Sequence, residues 1–438
     1  MMTQAYQQLL RAKVTSSCVA VIATISYVDS RVVAHAAPLM SQSIVTNVPM
    51  GCSENDILTD MPGNGVAESG IEDGVLVRRC VRGTTIPGSY DGGLEGYLSF
   101  FAPQSAHLYN FAGSQGFEGL QTNHLRRLSI RPHFVWDLLI PNGKSAVPKR
   151  ISAAGIFDPF HRRLIMYGGQ DIFAAPGTDK GFNDTWVYPV DDKPKDWTLL
   201  NIAPPQYSRF QAKAVLDPIG QRMIVFGGDN ATGKLVGNQT LALTLEPGKE
   251  VWSELLPSVK PPGDYERIYH GFAYDSRRHR VVVLGGGQLS GVQAGAFGDA
   301  WALPLDDPSK GWYPLVFAND PPGPYFVAMN MFYDVVSDAF YIYFGAVYEQ
   351  PKKWLLGQEI AQIREVWQMK PAGSNSMVWT KLRTVFPGGY PLLTTVMWDD
   401  FGRFGLSMTG INATSSTAGA GAYYNREVRL YLLGEGGN

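Results

Sequence analysis

Charge is scarce in this sequence and nearly balanced: 37 Lys and Arg face 39 Asp and Glu in 438 residues, a formal net charge of -2. Without an excess of cations to displace counterions from phosphates, nucleic-acid binding is excluded. Cysteine is scarcer still, with three residues and no CxxC unit, so a zinc site is excluded and no metal or cofactor is expected. Only one long uncharged apolar run occurs, residues 14–28, and it is short of the roughly 20 residues a spanning helix needs. No phosphate loop or dinucleotide fingerprint opens a helix. What is abundant is glycine, at 48 residues, and aromatic side chains, at 12 %. Glycine punctuation with few charges indicates a strand-rich chain, and all-β is the expected class.

The N-terminus has the layout of an export signal. Arg11 and Lys13 precede the apolar run, and Ala34 and Ala36 supply small residues two apart, as a signal peptidase requires. A signal peptide over 1–36 and an N-terminal extension over 37–74 are therefore expected, the alternative for the run being an ordinary buried helix. Export would make the protein secreted or periplasmic, with no membrane attachment after cleavage. Cys18 would leave with the signal, and Cys52 and Cys80 would remain as a disulfide or as two unpaired thiols.

From Arg150 onward one pattern recurs: an apolar stretch ends in Asp, a short turn follows, and a second apolar stretch runs into glycine. The copies are GIFDPFHRRLIMYGG (155–169), AVLDPIGQRMIVFGG (214–228), FAYDSRRHRVVVLGG (272–286), MFYDVVSDAFYIYFGA (331–346) and VMWDDFGRFGLSMTG (396–410), preceded by a worn copy at 99–113. The residue before the glycine pair is Phe111, Tyr167, Phe226, Leu284, Phe344 or Met408, and Trp136, Trp197, Trp252, Trp312 and Trp379 follow with a similar period. Each copy of nearly 60 residues holds four strand-length apolar stretches separated by turns. It reads as a four-stranded antiparallel sheet, and six such units suit a propeller.

These residues resemble the kelch family, whose blades carry an apolar run into Gly-Gly and a Trp in the outer strand. The pair is intact at Gly168-Gly169, Gly227-Gly228 and Gly285-Gly286. The resemblance implies a six-bladed kelch-type β-propeller of four-stranded antiparallel blades over 75–438. The last copy lacks a fourth strand, and counting the Trp interval back from the first copy lands inside 75–81. That segment is the expected N-terminal strand closing the last blade, with Cys80 in it.

In such a blade the start of the first strand and the loop after the glycines share one rim. This rim collects Arg150, Arg209 and Arg267, Tyr325 and Tyr390, and the loop residues Gln170, Asp171, Asp229, Asn230, Gln288 and Glu349. Three guanidinium forks converging on one mouth suit a carboxylate or sulfate; alternatively, by resemblance, the arginines tie neighbouring blades together. Asn-X-Thr sequons stand at Asn183, Asn230, Asn238 and Asn412. Tyr269-His270 resembles a feature of the copper-radical oxidases, which also carry kelch propellers, but their ligands come from a further domain, so no copper site is expected. The expected function is a monomeric propeller binding a glycan or an extracellular protein through this Arg/Tyr funnel. The alternatives are a mutarotase or isomerase of an acidic sugar, with Glu349 or Asp171 moving the proton, and a structural subunit of an extracellular assembly.

Overall fold

The computed structural model describes residues 96–105, 107–115, 120–129, 135–174, 181–191, 196–230, 232, 234–327, 330–343, 345–356, 361–362 and 367–381, together with the backbone of strands within 69–80 and 390–433. The expected signal segment and Cys52 lie outside these residues, as does the Cys52–Cys80 bridge.

The described residues are almost entirely β. The copy at 155–169 forms the antiparallel hairpin Ala154–Asp158 and Arg163–Tyr167, continued by Thr185–Pro189 and Thr198–Leu199 into a four-stranded sheet. The next copy repeats this with Lys213–Asp217, Arg222–Phe226, Thr240–Thr244 and Trp252–Leu255. The worn copy builds the same order from Leu98–Ala102, His107–Gln115, Leu120–Ser129 and Val135–Ile140. Two further sheets, opening with Gly271–Asp275 and Asn330–Asp334, are joined at their outer strands, where Tyr313–Phe317 and Ser376–Lys381 pair in parallel. In the last, Thr395–Asp399, Phe404–Met408 and Val428–Leu433 continue into Val75–Cys80 and then Ser69–Glu72. The strand Ser69–Glu72 falls in the segment expected to be an extension. Successive first strands are neighbours, and Thr395–Asp399 also neighbours Leu98–Ala102.

Asp158, Asp217, Asp275 and Asp334, which end four of the first strands, are buried turn organisers. The Asp158 carboxylate accepts the amides of Phe160 and His161 and the Arg163 Nε–H, and Asp217 repeats this with Ile219, Gly220 and Arg222. Such a turn needs a left-handed residue before the second strand, supplied by Arg162, Gln221, His279 and Asp338 at φ 50, 46, 45 and 52°.

The two sequence periods meet between sheets. Phe111 packs on Trp197 of the next sheet with ring centroids 5.1 Å apart, Tyr167 on Trp252 at 4.7 Å and Phe226 on Trp312 at 4.9 Å. Leu284 and Trp379 share one core cluster. The apolar core among the described residues is thus a series of layers between consecutive sheets, each holding a residue from both periodic series, with Trp252 only partly buried.

The glycine pair serves the same contacts. Gly168 has φ 71°, and a Cβ there would stand 2.3 Å from the Arg209 carbonyl of the next sheet, whose oxygen accepts the Gly169 N–H at 2.7 Å. The same exchange links Gly228 to Arg267 at 2.8 Å and Gly286 to Phe326 at 2.9 Å. Glycine suits this approach with positive φ; in the worn copy Ala112 takes the first place at φ 62°, and there the Gly113 N–H reaches the Arg150 carbonyl only at 3.5 Å.

Beyond the glycines the chain adds a second tier of short pairings. Ile151 bridges to Gln170 and Gln170 to Gly181, and Phe210 bridges to Asp229. Tyr325–Val327, Ala346–Tyr348 and Ala361–Gln362 form a three-stranded ribbon, as do Tyr390–Leu392, Ile411–Ala413 and Ala422–Tyr424. This collar raises one rim of the molecule and brings the starts of the first strands against the post-glycine loops.

Candidate functional site at the collar rim

The three arginines lie on this rim but face inward. Arg150 is fully buried; its guanidinium donates to the Gly168 carbonyl at 2.8 Å and grips both carboxylate oxygens of Asp184 at 2.5 and 2.9 Å, with the Phe182 ring 3.9 Å below. Arg267 repeats the arrangement with the Gly285 carbonyl at 3.0 Å, the Asp299 carboxylate and the Phe297 ring. At Arg209 the carboxylate is replaced by the Gln239 amide, and the Gly227 and Val236 carbonyls accept at 2.9 Å each. Without a counter-charge, burial pulls the Arg209 pKa below its usual value, although Tyr167 and Glu254 act the other way. Each arginine side chain clamps its own glycine loop while its backbone carbonyl holds the preceding sheet's glycine. This is a tying geometry.

The other rim residues divide by exposure. Asn230 and Gln288 are buried, at 1 % and 0 % exposed. The Asn230 side-chain oxygen accepts the Thr232 amide and hydroxyl at 2.9 Å each, so this sequon is folded into a turn; Gln288 donates to the Ser290 carbonyl at 2.5 Å. Gln170 and Asp229 are engaged by their backbones in the collar bridges. The Asp171 carboxylate caps its own turn on the Phe173 amide at 2.9 Å, and the exposed Glu349 pairs with Lys353 at 2.9 Å. Tyr325 is partly exposed opposite Tyr348 in the ribbon, and Tyr390 pairs with Ala413.

Two positions after each arginine, sequence reasoning missed a set of residues. Ser152, Gln211 and Tyr269 all adopt left-handed backbone, with φ 57, 55 and 56°, and Gly96 at φ 63° stands at the same place before the first sheet. The Ser152 N–H donates to the Gly96 carbonyl at 2.6 Å and the Gln211 N–H to the Ser152 carbonyl at 2.8 Å, linking one sheet to the next. The Gln211 amide then reaches the Tyr269 hydroxyl at 3.0 Å. Left-handed backbone is uncommon for non-glycine residues and marks strained, often functional places. The outcome is an arc of partly exposed hydroxyl, amide and phenol groups where first strands begin. The signal was available in the sequence as three polar residues at one register position.

Two histidines near the rim are held neutral. His270 is fully buried and neither ring nitrogen has a hydrogen-bond partner; burial, then the charges of Arg267 and Lys213, push its pKa well below the usual value. Burial, aided by Arg126, lowers His124 to about 3. On the opposite rim His279 bridges Asp217 and Asp306; burial alone would lower its pKa, but the two carboxylates raise it. Among the described residues no group of three His, Cys, Asp or Glu side chains gathers in a metal-binding arrangement, and no helix is long and apolar enough to cross a membrane.

No protein family matches the chain, and no curated protein matches it. Among solved structures the chain is similar to YjhT, a kelch-type propeller, at 12 % identity and a TM-score of 0.55, over 76 % of this chain and 98 % of that one. The likeness is one of fold: an all-β chain of four-stranded sheets, of the β-propeller kind. A fungal alcohol oxidase of the AA5 family, in complex with copper, aligns at 10 % identity and a TM-score of 0.47, over 84 % of this chain and 77 % of that one.

Proposed function

We infer that the chain is an exported, six-bladed kelch-type β-propeller that binds a glycan at its collar rim. Six blades are supported by the succession of first strands, which returns from Thr395–Asp399 to Leu98–Ala102. Closure of the last blade by an N-terminal strand is supported by the register of Val75–Cys80 against Val428–Leu433. Cleavage after Ala36 rests on the residue pattern of the first 36 positions.

The observation that carries the ligand reading is the arc of Ser152, Gln211 and Tyr269. Polyhydroxyl ligands are recognised by side chains that both donate and accept, with an aromatic face beside them. Here those groups stand on backbone tied from sheet to sheet, so they are pre-positioned. Calorimetric titration with neutral and uronic-acid sugars tests the reading. Gln211→Ala and Tyr269→Ala are each expected to weaken binding at least about tenfold; affinities unchanged in both variants overturn it.

A protein partner is the second reading, and one observation favours it. Phe173, Leu235, Leu289, Val292 and Leu355 are 48, 52, 52, 100 and 39 % exposed, and all stand on post-glycine loops of the same rim. Exposed apolar groups clustered on one face mark interaction surfaces. A partner captured by the wild-type chain and released by Phe173→Ser with Leu289→Ser would establish this reading.

A further inference from the structure

On the rim opposite the collar, side-chain charges tie one sheet to the next. Arg163, in the second sheet, donates to the Glu250 carboxylate and the Leu245 carbonyl of the third at 2.6 Å each. Between the fourth sheet and the fifth, Arg278 grips both Asp338 oxygens at 2.7 and 2.8 Å, and Arg277 donates to the Val335 carbonyl at 2.8 Å. A guanidinium keeps its charge throughout the range in which proteins stay folded. Between the third sheet and the fourth, Arg222 reaches the Leu305 carbonyl at 2.9 Å, but the ionic tie is made by a histidine. His279 Nε2 stands 2.9 Å from Asp217 of the third sheet, and Nδ1 stands 2.6 Å from Asp306 of the fourth. Among the described ties of this rim, it alone depends on a side chain that loses its charge near neutrality.

An ionised carboxylate can only accept, so both ring nitrogens must donate, and that requires the imidazolium. Burial opposes this charge, but the bonds to Asp217 and Asp306 outweigh it and raise the pKa. The neighbouring charges are committed elsewhere: Arg222 to the second Asp217 oxygen at 2.8 Å, Arg278 and Arg280 to Asp275, and Asp307 to Ser309 and Lys310. Tyr274 meets the ring edge-on, with centroids 6.0 Å apart. A neutral ring keeps one N–H. Asp217 is fully buried, whereas the Asp306 side chain is 80 % exposed. The remaining N–H therefore stays with Asp217, where an unpaired charge costs more, and Asp306 is left facing a lone pair and turns to water. Asp306 opens the turn 306–311, which in turn holds the linker leaving the third sheet. The Ser309 carbonyl accepts the Ser258 N–H at 3.3 Å, and the Val259 carbonyl accepts the Trp312 N–H at 2.9 Å. Gly311, at φ 88°, packs so closely here that a Cβ would stand 2.6 Å from the Val259 nitrogen.

We propose that His279 is a proton-operated latch between the third and fourth sheets. Protonated, it pins the turn 306–311, and through that turn the linker at 258–259, to Asp217. Deprotonated, it releases Asp306 and loosens both segments, while the arginine-tied junctions on either side stay closed. The folded-state pKa is raised above the unfolded value of 6.5, so the latch is fully closed below pH 6.5 and opens as pH rises through the raised value. The proposal is independent of the ligand taken at the collar.

The test is hydrogen exchange of the full chain at pH 6 and pH 9, corrected for intrinsic rates, in wild type, Asp306→Asn and His279→Gln. In wild type the amides of Ser258, Lys310, Gly311 and Trp312 are expected to lose about tenfold or more of their protection between the two pH values. The arginine-tied turns at 245–251 and 335–338 should change by less than about twofold. Asp306→Asn supplies an amide that can donate as well as accept, so its protection is expected to be the same at both pH values, and His279→Gln should lose the pH dependence too. Equal protection of the wild-type turn at pH 6 and pH 9 overturns the proposal. So does the tenfold loss persisting in either variant, or an equal loss in the arginine-tied turns. Should His279→Gln fail to fold, Asp306→Asn decides, because its side chain is on the surface. An NMR titration of the wild-type His279 ring gives a separate check: a midpoint above 6.5 sustains the latch and one below 6.5 removes it.

Discussion

Replacing Arg267 by methionine separates a structural clamp from a ligand-binding group. The guanidinium is fully buried and donates to the Gly285 and Pro262 carbonyls at 3.0 and 2.9 Å and to the Asp299 carboxylate, with the Phe297 ring 4.6 Å from its central carbon. Methionine keeps most of the volume but removes the donor from two carbonyls and leaves the Asp299 carboxylate with the Trp301 indole N–H in place of its cation. Breaking a buried ion pair by removing one partner costs about 3–5 kcal/mol. The Asp299 side chain is 28 % exposed, so water recovers part of its solvation, which places the expected loss toward the lower end, about 3 kcal/mol. Equilibrium urea unfolding followed by tryptophan fluorescence reads this loss, because Trp301 donates to the same carboxylate at 2.7 Å. Sugar affinity of the folded fraction is expected to stay within about twofold of wild type. A variant with wild-type stability and abolished binding would refute the clamp and return Arg267 to the ligand.

Gly168→Ala should destabilise by about 2–5 kcal/mol, since its Cβ would meet the Arg209 carbonyl, whereas Gly143→Ala, at φ 77° with nothing within 4 Å, should cost only about 1–2 kcal/mol; parallel melts compare the two. Stability should also fall with acidity. His270 and His124 have folded-state pKa values below the unfolded value of 6.5, so beneath pH 6.5 the unfolded chain takes up protons that the fold refuses. Each then contributes a loss of about 1.4 kcal/mol per pH unit. His279 acts oppositely, its stabilisation complete below 6.5 and lost as pH rises through its raised value. His270→Leu should remove about 1.4 kcal/mol per unit from the slope between pH 6 and 5; an unchanged slope contradicts the neutral buried ring. In the glycan titration, Gln211→Ala and Tyr269→Ala should each lose about tenfold or more.

The layers were legible in the sequence because they rest on large side chains at fixed spacing: Phe111, Tyr167 and Phe226 keep one period and Trp197, Trp252 and Trp312 keep the other, and they pack on each other. The glycine pairs were legible for the same reason, since close approach of backbones at positive φ favours glycine. The collar was not. Its bridges are one to three residues long, too short to carry an alternation, and their register comes from the first strands beneath them. The arginines were located on the right rim, but their partners were overlooked. Asp184 and Asp299 each stand two residues before a tryptophan, Trp186 and Trp301, whose indole N–H donates to the same carboxylate. The Asp-X-Trp spacing at 184–186 and 299–301 already contained the acids that occupy the guanidiniums. The arc of Ser152, Gln211 and Tyr269 was overlooked because three different polar residues at one register position do not read as a motif until the backbone places them together.

Hydrogen exchange of the full chain with and without glucuronate tests the central claim most directly, that ligand is taken at the collar rim. The account expects slowed exchange at the amides of Ser152, Gln211 and their neighbours through Lys213, and around Tyr269. The turns at 158–163, 217–222 and 275–280 on the opposite rim should stay unchanged. Protection confined to those turns would contradict it.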